Sequence, residues 1–215
     1  MDMNPDKCDS SNRGVHHVLN SLLSIGIGTH TVLVYPDLRT IREVYTNYIS
    51  TNGKKGSELF IILPYYETVE NVRNNIESNK NTPVSQNKSN VYDSIIIRDC
   101  SDILGEDINQ SNNFSQKSET AVRNIVNFLN EMVIYAQKIG KNAVSVWIDT
   151  GAFQEYENYH HPLFIYEKTL PLVLKNTMIK QFCLYHQKDF EIRLNKLEES
   201  QVLDVHDSRY MLLTR

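Results

Sequence analysis

The chain has 215 residues, a formal net charge of −4 and a hydrophobic share of 40%, which is ordinary for a globular protein. A core of this size can stand without disulfides or metal. The charge offers no global basic field, so we expect no direct contact with nucleic acid. Three scattered cysteines, a polar N-terminus and the lack of a long apolar run favour a cytoplasmic protein without a membrane span.

The chain opens with a polar stretch, residues 1–14, which we interpret as a flexible lead-in. A single α/β domain is predicted for residues 15–215. Its first helix carries Val15, Leu19 and Leu22 on one face, and two glycines end it.

Buried strands alternate with amphipathic helices along the rest of the chain. Apolar and β-branched runs predict strands at 29–35, 57–66, 91–100, 142–151, 178–186 and 209–214. Apolar stripes at helical spacing predict helices at 37–53, 67–79, 119–140, 161–177 and 197–207, the fourth interrupted near Pro171. This alternation predicts a mainly parallel sheet flanked by helices.

Two polar insertions interrupt the pattern, around residues 79–90 and 101–117. Both are rich in residues that favour solvated loops, and the second has room for a turn of helix at its start.

The segment GTHTVLVYPDLRT, residues 28–40, is a strand–loop–helix junction of the kind that holds phosphate in many nucleotide-binding proteins. Pro36 has no N–H to donate, Asp37 would repel a phosphate, and the glycines and lysine of a P-loop are missing. We interpret the junction as a turn in which Asp37 caps the next helix. Asp149 ends a later strand where ATPases of this layout hold magnesium, but that role requires a phosphate at the first junction.

The histidines and cysteines give no recognisable metal motif. The pair His160–His161 and the spacing Cys183-x2-His186 each lack the other half of a zinc site. Cys183 lies in an apolar strand, which is typical of a buried structural cysteine. We therefore expect no metal, no cofactor and no catalytic residues.

Aromatic residues are concentrated at the ends of the predicted strands, and ligands of open parallel sheets bind outside the carboxyl ends of the strands. Apolar walls with a few polar tips would suit a small organic ligand, and the alternative, that the rings only cap the core, stays open. The candidate ligand-binding residues are His30, Tyr35, Tyr65, Trp147, Asp149 and Tyr185.

Several of these residues resemble the motifs of the MEDS domain, a sensory domain named for methanogens, methylotrophs and the DcmR regulator. Gly28, Thr29 and His30 match its Gly-Thr-His strand, followed by Tyr35 and Asp37 in a turn and by Glu58 in the next strand. Cys183 and Tyr185, with Phe190, match its Cys-x-Tyr strand and short helix. His206 matches a histidine before the last strand, although aspartate replaces the usual proline after it.

The resemblance implies a RecA-like or KaiC-like three-layer α/β sandwich without a functional Walker A motif, in an archaeal or bacterial signalling protein. It implies a non-catalytic sensory or regulatory domain that binds a small organic ligand, a protein partner carrying the output function, or both. Two alternatives remain: a degenerate ATPase relative that still binds nucleotide, and an oligomer-forming structural protein, since RecA-like domains often assemble as homo-oligomers.

Overall fold

A computed structural model describes residues 10–78, 94–105, 114–156 and 160–212. Its centre is a six-stranded sheet of parallel strands in the order β3-β2-β4-β5-β1-β6. The strands are β1 (Thr29–Tyr35), β2 (Glu58–Leu63), β3 (Ile95–Ile97), β4 (Ala143–Asp149), β5 (Ile179–His186) and β6 (Ser208–Met211). The predicted parallel sheet is confirmed, and its strands meet their following loops at one carboxyl edge.

Helices cover both faces of the sheet, so the molecule has the three layers of an α/β sandwich. They are α1 (Ser10–Leu23), α2 (Leu38–Gly53), α3 (Val69–Ser78), α4 (Cys100–Leu104), α5 (Phe114–Lys138), α6 (His160–Leu174), α7 (Gln187–Arg193) and α8 (Lys196–Asp204). A 3-10 helix, Thr150–Glu155, follows β4. None of the helices in these described ranges is both long enough and apolar enough to cross a membrane.

Each strand contributes to two cores because successive side chains point to opposite faces of a sheet. In β1, Val32 and Val34 pack with helices α4 to α8, which we call the α6 side. Leu33 and Tyr35 pack with α1, α2 and α3, which we call the α2 side. Whether a residue stands at an odd or an even position along its strand, which we call its parity, therefore decides which helices its side chain meets.

The boundaries differ from the predictions where tertiary packing extends a helix. α1 begins at Ser10, inside the predicted lead-in 1–14, and α4 with the first turn of α5 lies inside the predicted insertion 101–117. The helical turn expected at the start of that insertion is confirmed by α4. The predicted insertion 79–90 lies outside the described residues.

The helix α6 continues through Pro171, so the predicted interruption is wrong. Pro171 stands in the last turn, three residues before the helix ends. A proline there removes the backbone hydrogen bond to the carbonyl of Glu167 and crowds that carbonyl with its ring, which the helix tolerates. The buried side chains of Leu170 and Leu174 keep the last turn packed on the sheet.

Candidate functional site

The loop after β1 is the capped turn that the sequence predicts. Asp37 Oδ1 accepts a hydrogen bond of 2.8 Å from the backbone N–H of Thr40, in the first turn of α2. Free N–H groups at a helix N-terminus are what a phosphate would bind. The carboxylate of Asp37 already serves as the anion there, so this junction has neither the cradle nor the charge for a nucleotide.

Three candidate residues, Tyr35, Asp149 and Tyr65, meet at the carboxyl edge of the sheet. The Tyr35 hydroxyl donates to Asp149 Oδ2 at 3.1 Å, and the backbone N–H of Gly151 donates to Asp149 Oδ1 at 3.0 Å. The Tyr65 ring packs against Gly151 so closely that a Cβ there would lie 2.7 Å from it. Both oxygens of Asp149 are thus engaged by the protein, and the side chain caps the 3-10 helix.

Burial raises the pKa of Asp149 to about 7, although the hydrogen bonds from Gly151, Tyr35 and the Tyr66 backbone oppose the shift. The folded protein therefore keeps a proton on Asp149 at pH values where the unfolded chain, with a pKa near 3.8, has lost it. Folding takes up this proton between about pH 4 and pH 7, so the contribution of Asp149 to stability falls as the pH rises through that window.

We expect the variant Asp149→Asn to lose this pH dependence. Between pH 5 and 6.5, the free energy of unfolding of the wild type should fall relative to the variant by about 1.4 kcal/mol per pH unit. Urea unfolding at a series of pH values measures the difference. The pH-dependent contributions of titratable groups that both proteins share cancel when the two free energies of unfolding are subtracted. Parallel curves for the two proteins would show that Asp149 is ionised in the fold.

Trp147 lies away from this edge, inside the core on the α2 side. It is fully buried, its ring stacks on Phe182 with centroids 4.3 Å apart, and Tyr48 meets it edge-on at 5.1 Å. Trp147 is therefore part of the packed core on the α2 side, to which Tyr35 also belongs.

An open groove of about 480 Å³ lies at the carboxyl end of β3, between that strand and α5. Arg98, Asp99 and Ile97 line it on one side, and Phe128 and Glu131 line it on the other. None of the six candidate residues contributes to its walls.

The remaining candidates, His30 and Tyr185, lie on the α6 side in a buried group of polar side chains. We call His30, Glu167, Cys183 and His206 the core cluster, because their imidazole nitrogens, thiol sulfur and carboxylate oxygen all lie within 4.8 Å of one another. Each comes from a different place: β1, α6, β5 and the turn between α8 and β6. Their exposed fractions are between 0% and 5%.

Three of the four members are brought to the core cluster by the periodicity of their own elements, and the fourth by its place in a turn. His30 has the same parity as Val32 and therefore faces the α6 side, as Cys183 does in β5. Glu167 stands among the buried residues of α6, four after Leu163. His206 follows the end of α8 and precedes β6.

Close contacts join the four side chains. His30 Nε2 lies 3.0 Å from Glu167 Oε2 and 3.2 Å from Cys183 Sγ, and His206 Nε2 lies 3.2 Å from the same oxygen of Glu167. The two imidazole rings face each other with centroids 3.8 Å apart. Tyr185, the other candidate residue on this side, donates its hydroxyl hydrogen bond to Glu167 Oε1.

The tautomer of neutral His206 follows from its backbone contact. His206 Nδ1 lies 2.6 Å from the carbonyl oxygen of Val202, and a carbonyl only accepts, so Nδ1 carries the proton. In the neutral ring, Nε2 then holds a lone pair that is directed toward Glu167 Oε2. Within the described part of the chain, His206 Nε2 has no hydrogen-bond partner.

The charge state of the core cluster is set by burial and mutual contact. Burial raises the pKa of Glu167, but His206, His30 and the Tyr185 hydroxyl outweigh it, so the pKa lies below its ordinary value. Burial lowers the pKa of His206.

Chemically, the core cluster offers two imidazoles, a thiol and a carboxylate. Zn²⁺ takes these donor types in proteins, usually four at a time. Complete burial leaves no route for a substrate to reach the group in this conformation.

Sequence reasoning found two residues of this region, His30 and Tyr185, and did not include Glu167 among the candidates. As a possible metal ligand, Cys183 was paired only with His186, which instead caps α7 through a contact to the backbone N–H of Lys188. The signal that could have found Glu167 is its place among the apolar, inward-facing residues of α6. A buried carboxylate requires a partner, so an acid at such a position indicates a buried polar group.

Comparison of the chain with models of known protein families and with curated protein sequences gives no match. Function is therefore inferred from the geometry of the site together with the resemblance described above.

Proposed function

We propose that this chain is a non-catalytic sensory or regulatory domain whose input site is the core cluster. One observation carries the proposal: four side chains of ligand-binding type converge in the core from four separate elements. Buried polar groups cost stability unless they are satisfied, and a binding role for a ligand explains why such a group stands where apolar residues would suffice.

Burial favours a receptor over a catalyst. An enzyme must admit substrate and release product in every turnover, whereas a receptor benefits from holding its ligand in a closed site. His30, Glu167 and Cys183 are each at most 1% exposed, so an entering ligand requires the surrounding helices to move. That requirement couples binding to a change of conformation.

The C-terminal part of the chain is the element that would respond. His206 stands directly before the edge strand β6, and Asp207 bonds to His30 twice: its N–H donates to the His30 carbonyl at 2.8 Å, and its Oδ2 accepts from the His30 N–H at 2.8 Å. A ligand that shifts His30 or His206 therefore acts on α6, α8 and β6 together. We propose that a protein partner reads this movement.

The MEDS resemblance supports the same interpretation. Four residues that carry it, His30, Cys183, Tyr185 and His206, lie in the core cluster or bond to it. We therefore propose membership of that family, with a RecA-like or KaiC-like layout that has lost its P-loop and a role in signal transduction in the cytoplasm. The capped turn at Asp37 argues against the nucleotide-binding alternative.

A ligand screen with matched variants tests the proposal. The purified chain is heated with short-chain alcohols, amines and thiols and with Zn²⁺, and hydrogen–deuterium exchange is measured for each compound that raises Tm. We expect at least one probe to raise Tm and to slow exchange in α6 and in residues 196–212. The effect should be lost in Glu167→Gln, which removes the charge of the core cluster.

Glu58→Gln is the matched control. Glu58 is also a buried acid, but it bonds to Tyr48 and Ser145 on the α2 side. The control should respond to the probe as the wild type does. If no probe alters exchange in α6 or residues 196–212, the proposal is wrong. Stabilisation by ATP with Mg²⁺ that Asp149→Ala abolishes would favour the ATPase relative instead.

A further inference from the structure

We infer that the core cluster binds one divalent transition-metal ion, Zn²⁺ by preference, through His30 Nε2, His206 Nε2, Cys183 Sγ and Glu167 Oε2. The inference deepens the proposed function and rests on it, because it names the ligand class of the same site.

The separations of the donor atoms are close to those that zinc requires. Bonds of about 2.0–2.1 Å to nitrogen and oxygen and about 2.3 Å to sulfur place tetrahedral donors roughly 3.3–3.8 Å apart. In the core cluster the three closest contacts are 3.0, 3.2 and 3.2 Å, and all pairs lie within 4.8 Å. Shifts of a few tenths of an ångström to about one ångström would complete the coordination.

The outer contacts orient two of the ligands toward a common point. A metal-bound histidine usually donates its other ring N–H to a carbonyl or carboxylate. His206 Nδ1 makes this bond to the Val202 carbonyl, so Nε2 is free to coordinate. Tyr185 occupies Glu167 Oε1, which leaves Oε2 directed at both imidazoles.

A metal also relieves the competition for hydrogen bonds around Glu167 Oε2 and Cys183 Sγ. The single proton that His30 can carry on Nε2 faces both Glu167 Oε2 and Cys183 Sγ, and His206 Nε2 faces the same carboxylate oxygen with a lone pair. A cation bonds to all four donors at once. With Cys183 as thiolate and Glu167 as carboxylate, a divalent ion gives a neutral group, which is what a buried site requires.

The donor types select the metal. Mg²⁺ and Ca²⁺ take oxygen ligands, whereas a thiolate with two imidazoles suits Zn²⁺ and similar ions. Four protein ligands leave no open position for a substrate, which is the arrangement of a structural or regulatory zinc site.

Metal uptake by the full chain tests the inference. The protein is purified with a reductant, treated with a chelator and then incubated with Zn²⁺, Co²⁺ or Mg²⁺. After gel filtration, elemental analysis should find about one zinc per chain and no retained magnesium. Co²⁺ should give the visible bands of a tetrahedral ion and a thiolate-to-cobalt charge-transfer band in the near ultraviolet.

Two cysteine variants locate the site. Cys183→Ser should lose the charge-transfer band, and Cys100→Ser should keep it, because Cys100 is also a free, buried cysteine but lies in α4. If Cys183→Ser does not fold, Tyr185→Phe retains all four ligands and removes only the bond to Glu167. We expect Tyr185→Phe to weaken zinc binding by about 10–100-fold, as the loss of an outer partner does at other metal sites.

The outcomes separate this inference from the proposed function. Chelated protein that takes up no zinc, or that gives the same cobalt spectrum with Cys183→Ser, overturns the metal site. If a small organic probe still slows exchange in α6, only the metal inference fails. If zinc binds through Cys183 but neither zinc nor any organic probe changes exchange in α6 and residues 196–212, the ion is structural and the proposed function fails.

Discussion

Glu167→Ala is expected to lower the free energy of unfolding of the metal-free protein by about 2–5 kcal/mol, the range for truncating a buried side chain and leaving its polar partners unsatisfied. The substitution leaves His30, His206 and the Tyr185 hydroxyl in the core without the carboxylate that they contact. It also opens a cavity in α6, which is packed against the sheet on this side. Since small domains have a total stability of about 5–15 kcal/mol, a variant this weak approaches the limit of folding.

Urea unfolding followed by circular dichroism measures the effect, with a chelator present for both proteins. Glu131→Ala is the control, because Glu131 is an exposed glutamate in α5 and its loss should change the free energy by less than about 0.5 kcal/mol. A change as small as that of the control would mean that the contacts of Glu167 contribute little to the fold.

Trp147→Ala is expected to cost about 3–5 kcal/mol through the cavity that it leaves. Trp147 is fully buried, stacks on Phe182 and meets Tyr48 edge-on, so its loss removes contacts of β4 with β5 and with α2. Tyr48 in turn bonds Glu58 and Ser145, so movement of its ring disturbs a buried polar group as well.

The midpoint of urea unfolding, again read by circular dichroism, measures this loss. Tyr135→Ala provides the comparison, because Tyr135 is an aromatic residue on α5 with 36% of its surface exposed. Trp147→Phe refines the test: it should retain most of the stability and leave the response to a bound probe unchanged. Loss of the probe response in Trp147→Phe would instead return Trp147 to the ligand site predicted from sequence.

The chain has a single tryptophan, so its fluorescence also reports unfolding of the wild type at one defined point in the core.

Local sequence patterns were sufficient for the sheet and for the turn after β1. The run THTVLVY is apolar and β-branched on both faces, and only a central strand covered by two layers of helices suits such a run. Asp37 precedes an amphipathic stretch, and its short side chain reaches the N–H groups of the next turn whatever the rest of the chain does. Both predictions depend on neighbours within a few residues.

Helix boundaries were harder to predict because packing extended them. Residues 10–14 and 115–118 are polar or glycine, but they lie at the ends of helices that are anchored by apolar stripes further along. Pro171 gives a strong local signal for a break, yet burial of Leu170 and Leu174 against the sheet holds the last turn of α6 together.

The six candidate residues show what a single sequence can and cannot decide about a site. Position and the family resemblance selected these residues, and the fold divides them between its two faces: Tyr35 and Trp147 lie in the core on the α2 side, with Asp149 and Tyr65 beside Tyr35 at the carboxyl edge, and His30 and Tyr185 lie on the α6 side. The parity of each residue along its strand determines its face, but the sequence does not show which helix covers that face.

The sequence by itself determined the class of fold, the capped turn in place of a phosphate loop, and two residues of the buried site. Only the tertiary structure brought His30 and Cys183 together with Glu167 and His206, which stand 137 and 176 residues after His30 in the chain. The physical reason is the strand order: β1 lies between β5 and β6, so the first strand of the sheet meets the last two, and the helices that precede those strands cover it. Local periodicity carries no information about which strands pair. The core cluster exists because β1 pairs with both β5 and β6.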